Sequence, residues 1–159
     1  MINKLIRDEA FIQMMADHAA DTVDFLIEAQ TPFGILCNLS EVDFDPPLPP
    51  ELQKQLKPLT LFVLSGYTLE SAGLDEEMLW VVFDAGFGEE NFGSTVSVPT
   101  DAILQVIVDE TVIFINLAAS VPAPKSKTRT PPAQGGEATL ERSLQGFLGN
   151  PENDKFFKR

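Results

Sequence analysis

The sequence has a single cysteine, Cys37, and a single histidine, His18. One cysteine excludes an intramolecular disulfide framework and a zinc site built from several thiolates, and one histidine excludes any site that needs two imidazoles. Cations are also scarce, because 11 Lys and Arg face 24 Asp and Glu for a net charge of −13. Nucleic acids and anionic membranes attract proteins mainly through cationic side chains, so the composition disfavours both as partners.

Long apolar runs are missing as well. No run of apolar residues approaches ~18 in length, so no transmembrane helix is expected. The first residues, MINKLIRDEAF, carry charge too early for a signal peptide. Together with the lone cysteine, these features predict a cytoplasmic protein. The 159 residues, 44% of them hydrophobic, suffice for one folded domain with a tail.

The parts of familiar catalytic and metal sites are also absent. His18 is next to Asp17 in a helical pattern without a partner serine, and Cys37 is inside an apolar segment typical of a buried thiol. The glycines of residues 86–88 are followed by Glu89 and Glu90, which would repel phosphate. The acidic residues lack the spacing of a calcium loop. The sequence therefore predicts no enzyme, no metal and no cofactor.

Charge divides the chain into two parts. Residues 1–120 hold 20 acidic and 4 basic residues, a net charge of −16, whereas residues 121–159 hold 4 acidic and 7 basic residues, a net charge of +3. Four prolines and a Gly-Gly pair are concentrated in residues 121–137, which is typical of an extended linker. We expect a folded domain over 1–120, a flexible linker over 121–137 and a disordered C-terminal tail over 138–159.

The folded part opens with a pattern typical of a long amphipathic helix, over residues 3–29. Apolar side chains recur there at intervals of three or four residues: Ile12, Met15, Ala19, Val23 and Leu26. Asp17, Asp21, Asp24 and Glu28 follow the same spacing on the opposite side, as expected of a solvated face. Phe11, Met14 and Phe25 widen the apolar sector, which allows for a dimer interface on this helix.

Strand patterns follow the helix. Five apolar segments predict strands: residues 33–39, 59–64, 78–83, 94–98 and 111–117. One or two helical turns are expected over 51–57. Pro99 fits a helix start, and the spacing of Ala102, Ile103, Val106 and Ile107 predicts a short helix. The expected fold is α+β, with a mostly antiparallel, curled five-stranded sheet or small barrel interrupted by that helix.

Because catalytic and metal sites are disfavoured, the apolar strands are best interpreted as part of a binding surface. An apolar groove beside the glycine-rich turn 85–93 would suit an extended peptide, since small residues let a peptide backbone approach. The alternative is that the apolar surplus of the strands only fills the core.

The order of segments resembles the stringent starvation protein B (SspB) family. The resemblance covers roughly residues 10–120: a long N-terminal helix, a proline-bearing loop at 45–50, then LTLFVL, MLWVVFDAGFG and STVSVPTDAILQVIVDE. Its most specific stretch is Val96-Ser97-Val98-Pro99 after a strand that ends in Phe87-Gly88. The family usually has Phe-Gly-Gly-x-Pro at that turn, whereas Phe87-Gly88 is followed here by Glu-Glu-Asn.

Members of that family are adaptors that deliver substrates to the ClpXP protease. The resemblance implies an apolar groove for ssrA-like degradation tags, lined by the end of strand 78–83 and its neighbours: Phe83, Ala85, Phe87, Gly88, Val96 and Val98. It implies a homodimer formed through the N-terminal helix. It also implies that the C-terminal residues Phe156, Phe157, Lys158 and Arg159 dock on the N-terminal domain of the ClpX unfoldase.

Two alternatives stay open. A rival docking element is an apolar face of a short helix in the tail, formed by Leu140, Leu144, Phe147 and Leu148. A rival function is that of a small acidic chaperone or assembly factor, which would mask an apolar surface of a partner protein. An enzyme acting on a small molecule is disfavoured, because no nucleophile–base pair is present.

Overall fold

The computed structural model describes residues 1–120 of the chain. The expected linker (121–137) and tail (138–159) lie outside the described residues. Both candidate docking elements, residues 140–148 and 156–159, therefore lie outside them too.

The N-terminal helix is confirmed, with a break near its start. A short helix α1 (Ile2–Leu5) precedes the long helix α2 (Glu9–Glu28). Asp8 separates them because its side chain caps α2, accepting hydrogen bonds from the backbone N–H groups of Ala10 (2.8 Å) and Phe11 (3.2 Å). The buried side of α2 consists of small and branched residues, namely Ala16, Ala19, Ala20, Val23 and Leu26.

Within residues 1–120, eight strands form two antiparallel sheets. The strands are β1 (Phe33–Asn38), β2 (Asp43–Asp45), β3 (Leu59–Leu64), β4 (Gly73–Leu74), β5 (Trp80–Phe87), β6 (Phe92–Pro99), β7 (Ile103–Val108) and β8 (Thr111–Ile115). Sheet A has the order β3-β1-β7-β8, and sheet B has the order β2-β6-β5-β4. Two short helices, α3 (Pro50–Gln53) and α4 (Gly66–Ser71), flank β3. The α+β class is confirmed; the expectation of one five-stranded sheet or closed barrel is wrong.

The prediction of a short helix after Pro99 is also wrong. A 3-10 turn, Thr100–Ala102, leads directly into strand β7. The register between β1 and β7 shifts between Leu36 and Cys37, so Leu104 is an extra residue in β7. Because of this bulge, Ile103 and Val106 both face the core at a spacing of three, which imitates a helical pattern.

In the described part of the chain, one hydrophobic core lies between the two sheets and extends to α2. Both sheets contribute their inward side chains to it, and α2 adds Ala19, Val23 and Leu26. The fully buried members include Ile35 and Leu64 from sheet A and Phe83, Val96 and Val98 from sheet B. The core therefore positions β5 and β6, whose far ends leave it at Phe87 and Phe92.

The outward face of sheet A is apolar and exposed. On it lie Leu59, Leu61, Val63, Val112 and Ile115, whose exposed fractions range from 41% to 62%. We call these five residues the apolar face of sheet A. The sequence segment LTLFVL predicts a strand that is apolar on both sides, and only its alternate residues Thr60, Phe62 and Leu64 are buried.

Candidate binding cleft

An open cleft of about 720 Å³ lies where helix α3 faces the turn between β5 and β6. Two stretches of chain line it: Pro49, Glu51, Leu52 and Gln55 on one side, and Phe87, Gly88, Glu89, Glu90 and Phe92 on the other. The lining combines apolar side chains with carboxylates at an accessible part of the surface. Its volume is within the range of sites that hold a small ligand or a few residues of a peptide.

Two glycines determine the shape of the hairpin turn. Gly88 has φ +75°, and a Cβ atom there would lie 2.6 Å from Leu52 Cδ2, so Leu52 packs directly on the backbone of the turn. A Cβ atom at Gly86 would overlap the side chain of Asn91. Asn91, at φ 54°, donates its backbone N–H to the carbonyl of Gly88 (3.1 Å). Larger residues would thus displace either the turn or α3.

The proline-rich wall of the cleft is held by side-chain hydrogen bonds. Ser94 Oγ of β6 donates to the carbonyl oxygen of Pro46 (2.9 Å), and Gln53 Nε2 donates to that of Leu48 (2.9 Å). Leu48 is itself buried. Helix α3 begins at Pro50, whose fixed φ suits the first helical position. These contacts hold α3 against sheet B in a segment that prolines keep from forming a strand.

A chain of aromatic rings connects the cleft to the core. Phe87 packs edge-on against Phe44 at a centroid distance of 5.7 Å and against Phe62 at 6.4 Å. Phe62 in turn contacts the buried ring of Phe83 at 5.6 Å. Such tilted and T-shaped pairs are the favoured aromatic geometry. The half-buried Phe87 is therefore a fixed floor for the cleft.

Strand β6 has a free edge beside the cleft. The three residues of β2 pair only with residues 95–97 of β6. Phe92 and Gly93 therefore have no strand partner on that side within residues 1–120, although they pair with β5 on the other side. Ser94 is fully buried and bonded to Pro46, so the free edge does not extend to it. A free strand edge offers backbone N–H and C=O groups to an added extended segment.

The rim of the cleft is acidic. Glu51 on α3 and Glu89 and Glu90 on the turn are all exposed. The nine lining residues include no Lys, Arg or His. Two lysines, Lys54 and Lys57, follow α3 in the sequence, but neither lines the cleft. The cleft is thus apolar at its floor and negative at its rim.

The structure divides the six predicted groove residues into two groups. Phe87 and Gly88 line the cleft, and Ala85 is half-buried one step further into the sheet. Phe83, Val96 and Val98 are at most 1% exposed, so they belong to the core and do not line the cleft. Alternation along β5 explains the distribution, since residues 83, 85 and 87 share the inward face and only its end emerges.

Several lining residues were not anticipated from the sequence. The sequence predicts only a proline-bearing loop over 45–50 and helical turns over 51–57, and it places Phe92 in the glycine-rich turn 85–93. The available signal was weak. Prolines of a loop next to a Phe-Gly turn indicate that regular strand pairing stops there, which leaves an edge uncovered. Nothing in their spacing indicates which turn Leu52 would contact.

The two lone reactive side chains do not belong to the cleft. Cys37 is fully buried in β1, where desolvation raises the pKa of its thiol from 9.0 to about 12. His18 is exposed on α2. Among residues 1–120, no group of three or more His, Cys, Asp or Glu side chains is placed to hold a metal ion. No helix in this part of the chain is long and apolar enough to cross a membrane.

Comparison with known proteins gives no relative for this chain. Neither family models nor curated proteins nor solved structures produced a match. The resemblance to the SspB family therefore stays a prediction made from the order of the sequence segments.

Proposed function

We propose that this chain is an adaptor that binds ssrA-like degradation tags in the cleft and tethers their carriers to the ClpXP protease. The observation that supports this proposal is the combination of an apolar floor, Phe87 and Leu52, with the free edge of β6 at Phe92 and Gly93. This combination supports recognition of an extended peptide. The strand edge would supply main-chain hydrogen bonds, and the floor would accept alternate apolar side chains.

The tether in this proposal is the C-terminal part of the chain. Residues 121–159 follow the domain, and their net charge of +3 contrasts with −16 for residues 1–120. Two aromatic anchors and two cations, Phe156, Phe157, Lys158 and Arg159, would dock on the ClpX N-terminal domain. Tethering would raise the local concentration of cargo at the unfoldase to the mM range without any covalent step.

A homodimer through the N-terminal helix is part of the same proposal. Helix α2 exposes Met14 (44%) and Phe25 (70%) on its solvent side. Burial of these two side chains against a second copy would remove their apolar surface from water. Sedimentation velocity tests this part: Phe25→Ser should convert a dimer to a monomer without reducing helix content. A wild-type monomer at tens of micromolar would contradict it.

A second candidate function is supported by a different surface. The apolar face of sheet A carries no charged side chain, although residues 1–120 hold 24 charged residues. A small acidic chaperone that masks an apolar surface of a partner would use such a face. In that case the partner would bind sheet A, and the cleft would play no part.

Tag binding can be tested by fluorescence anisotropy with a labelled ssrA peptide. Phe92→Ala removes an apolar wall of the cleft and should weaken binding by about 5- to 30-fold, as expected for loss of a partly buried aromatic contact. Leu61→Ala, on the apolar face of sheet A, is the matched control and should leave peptide binding unchanged. The reverse pattern would favour the chaperone function, and no binding by the wild-type chain would exclude the tag-binding function.

Tethering has its own test. Deletion of residues 156–159 should abolish stimulation of ClpXP degradation of a tagged substrate while leaving tag affinity unchanged. Replacement of Leu140, Leu144, Phe147 and Leu148 by serine distinguishes the rival docking element. Full stimulation by the variant that lacks 156–159 would exclude those residues as the docking peptide.

A further inference from the structure

The apolar face of sheet A is wide enough to hold one helix. Its outer rows lie on β3 and β8, and the two central strands add the half-buried Leu36 and Ile107 between them. Four strands spaced by about 4.8 Å span about 14 Å, and a helix is about 10 Å across. No element of residues 1–120 covers the outer rows, which are 41% to 62% exposed. The face therefore has room for the second layer that a helix commonly provides to a sheet.

The chain leaves the described domain at one end of this face. Asn38, the last residue of β1, is paired with Leu59 in the sheet register. Its Nδ2 atom donates to the carbonyl oxygen of the buried Ala119 (2.8 Å). Asn116 Oδ1 accepts from the backbone N–H groups of Ala118 (2.9 Å) and Ala119 (3.2 Å). The rest of the chain therefore starts from a fixed point beside the first apolar residue of β3.

The C-terminal part of the sequence holds an apolar segment of matching size. Its apolar residues are Leu140, Leu144, Phe147 and Leu148, which we call the tail cluster. On a helix, these four side chains fall within a sector of about 100°. A helix over 140–148 would be about 14 Å long, and the six residues of β3 span about 20 Å. The segment therefore fits within the length of the face.

The intervening chain has the length and charge for docking within one molecule. The 19 residues of 121–139 separate the exit point from the tail cluster. A linker of that length has a root-mean-square span of about 24 Å, which exceeds the length of the face. Residues 121–159 carry a net charge of +3, and residues 1–120 carry −16. Long-range attraction between the two parts therefore acts in the same direction.

We propose that residues 140–148 dock as a short amphipathic helix on the apolar face of sheet A in their own chain. Docking places the tail cluster against the rows of β3 and β8, so that apolar surface is removed from water on both partners. The inference goes beyond the proposed tag binding and does not depend on it. It excludes the tail cluster as the element that docks on ClpX. Residues 156–159, which begin eight positions after Leu148, stay available to a partner.

The expected docking equilibrium is moderate. A linker of this kind gives an effective concentration of about 1 mM. With a dissociation constant of about 0.1 mM for a short apolar segment, the docked form outnumbers the undocked form by about 10-fold. Such an equilibrium adds little to the stability of the domain. A single substitution on the face should therefore change docking without a large change in the free energy of unfolding.

Disulfide trapping in the full chain tests the proposal. Val63→Cys/Ser143→Cys places one thiol on the apolar face of sheet A and the other at the edge of the tail cluster. The native Cys37 is fully buried, so it does not compete for oxidation. The control, Glu76→Cys/Ser143→Cys, moves the first thiol to an exposed turn next to sheet B. Under mild oxidation, the intramolecular disulfide should form about 10-fold faster with Val63→Cys than with Glu76→Cys, as measured by mobility on non-reducing gels.

Two serine variants of the trapped chain identify the segment that docks. Adding Leu144→Ser/Phe147→Ser should lower the trapping rate to that of the Glu76→Cys control, because the apolar contact is lost. Adding Phe156→Ser/Phe157→Ser should leave the rate unchanged. An equal loss from both serine variants, or no loss from Leu144→Ser/Phe147→Ser, would overturn the proposal.

Other occupants of the face give different results in the same experiment. Equal trapping rates with Val63→Cys and Glu76→Cys would overturn the proposal, since the tail would then show no preference for sheet A. Val63→Cys alone distinguishes a second copy of the chain. If it formed a covalent dimer as fast as the double variant closes its disulfide, the face would be an interface between copies and the proposal would be wrong. Tag binding is measured separately by anisotropy, so these outcomes leave it unaffected.

Discussion

Sheets A and B share one core but have opposite outward faces. In sheet A, the outward residues of the edge strands are apolar and stand in solvent, with Val63 62% exposed and Ile115 56% exposed. In sheet B, the outward face includes the polar residues Asp84, Thr95 and Ser97, yet these are at most 5% exposed. Polarity and burial are thus reversed relative to the usual antiparallel pattern, in which the polar face meets water.

Hydrogen bonds account for the burial of Asp84 and Thr95, whereas Ser97 Oγ is buried without a hydrogen-bond partner among the described residues. Thr95 Oγ1 donates to Asp84 Oδ1 (2.8 Å), and the backbone N–H of Asp84 donates to Ser71 Oγ at the end of α4 (2.9 Å). A buried carboxylate is tolerated only where donors satisfy it. The outward apolar side chains of sheet A need no such partners, because they have no hydrogen-bonding groups to satisfy.

The difference teaches that apolar character and burial are separate properties of a strand position. Leu61 lies over Gly34 on the outward face, with its Cδ1 atom 3.1 Å from where a Cβ of Gly34 would be. It is still 48% exposed, whereas Leu64 on the inward face of the same strand is 0% exposed. The contribution of each leucine to stability should therefore depend on its exposed fraction, because the side chain is the same in both positions.

The largest expected effect comes from that pair of leucines. Leu64→Ala should lower the free energy of unfolding by about 2–5 kcal/mol, because it removes buried methyl groups and leaves a cavity. Leu61→Ala, the same change on the outward face, should cost less than about 1 kcal/mol. Urea denaturation followed by circular dichroism measures both. Equal losses would show that the outward face is covered in solution.

Most elements of the fold could be predicted, and the errors have local causes. Helix α2 and the strand segments follow from the spacing of apolar residues. Strand β7 was mistaken for a helix because its bulge places Ile103 and Val106 on one face at a spacing of three. The division of the strands between two sheets depends on which edges meet. That is a long-range property, which a local pattern does not encode.

The candidate site was predictable only at its centre. The resemblance implies Phe87 and Gly88 as groove residues, and both line the cleft. Phe83, Val96 and Val98 were placed in the groove by the resemblance, but the structure puts them in the core. The sequence does not reveal Leu52 because its contact with Gly88 joins segments separated by β3, α4, β4 and β5.

A mirrored pair of substitutions tests the two outward faces directly. Thr95→Val in sheet B removes the donor to the buried Asp84 carboxylate and should cost about 1–3 kcal/mol of unfolding free energy. Val63→Thr in sheet A adds a hydroxyl where solvent can satisfy it, and should change stability by less than about 0.5 kcal/mol. Thermal and urea unfolding of both variants gives the comparison. A neutral Thr95→Val would mean that the polar face of sheet B is hydrated rather than buried.

At neutral pH the smallest effect is that of the Cys37 thiol on the inward face of sheet A, because this effect appears only at alkaline pH. Burial raises the pKa of this thiol in the folded chain to about 12, whereas its usual value is 9.0. Above pH 9 the unfolded chain releases the thiol proton and the folded chain keeps it. The contribution of the thiol to the free energy of unfolding should therefore be fully present below pH 9. Between pH 9 and 12, the free energy of unfolding should fall by about 1.4 kcal/mol per pH unit.

Other groups also titrate in this window, so the decisive quantity is a difference in slope. Cys37→Ala should remove the contribution of the thiol and flatten the dependence of stability on pH above 9. A pH-independent loss of unfolding free energy caused by the substitution would not change this slope. Adding Val63→Cys to that variant places a thiol on the exposed face, where its pKa stays near the usual value and the slope stays flat. Identical slopes for the wild type and Cys37→Ala would show that water reaches the inward face of sheet A, and the contrast between its two faces would then be lost.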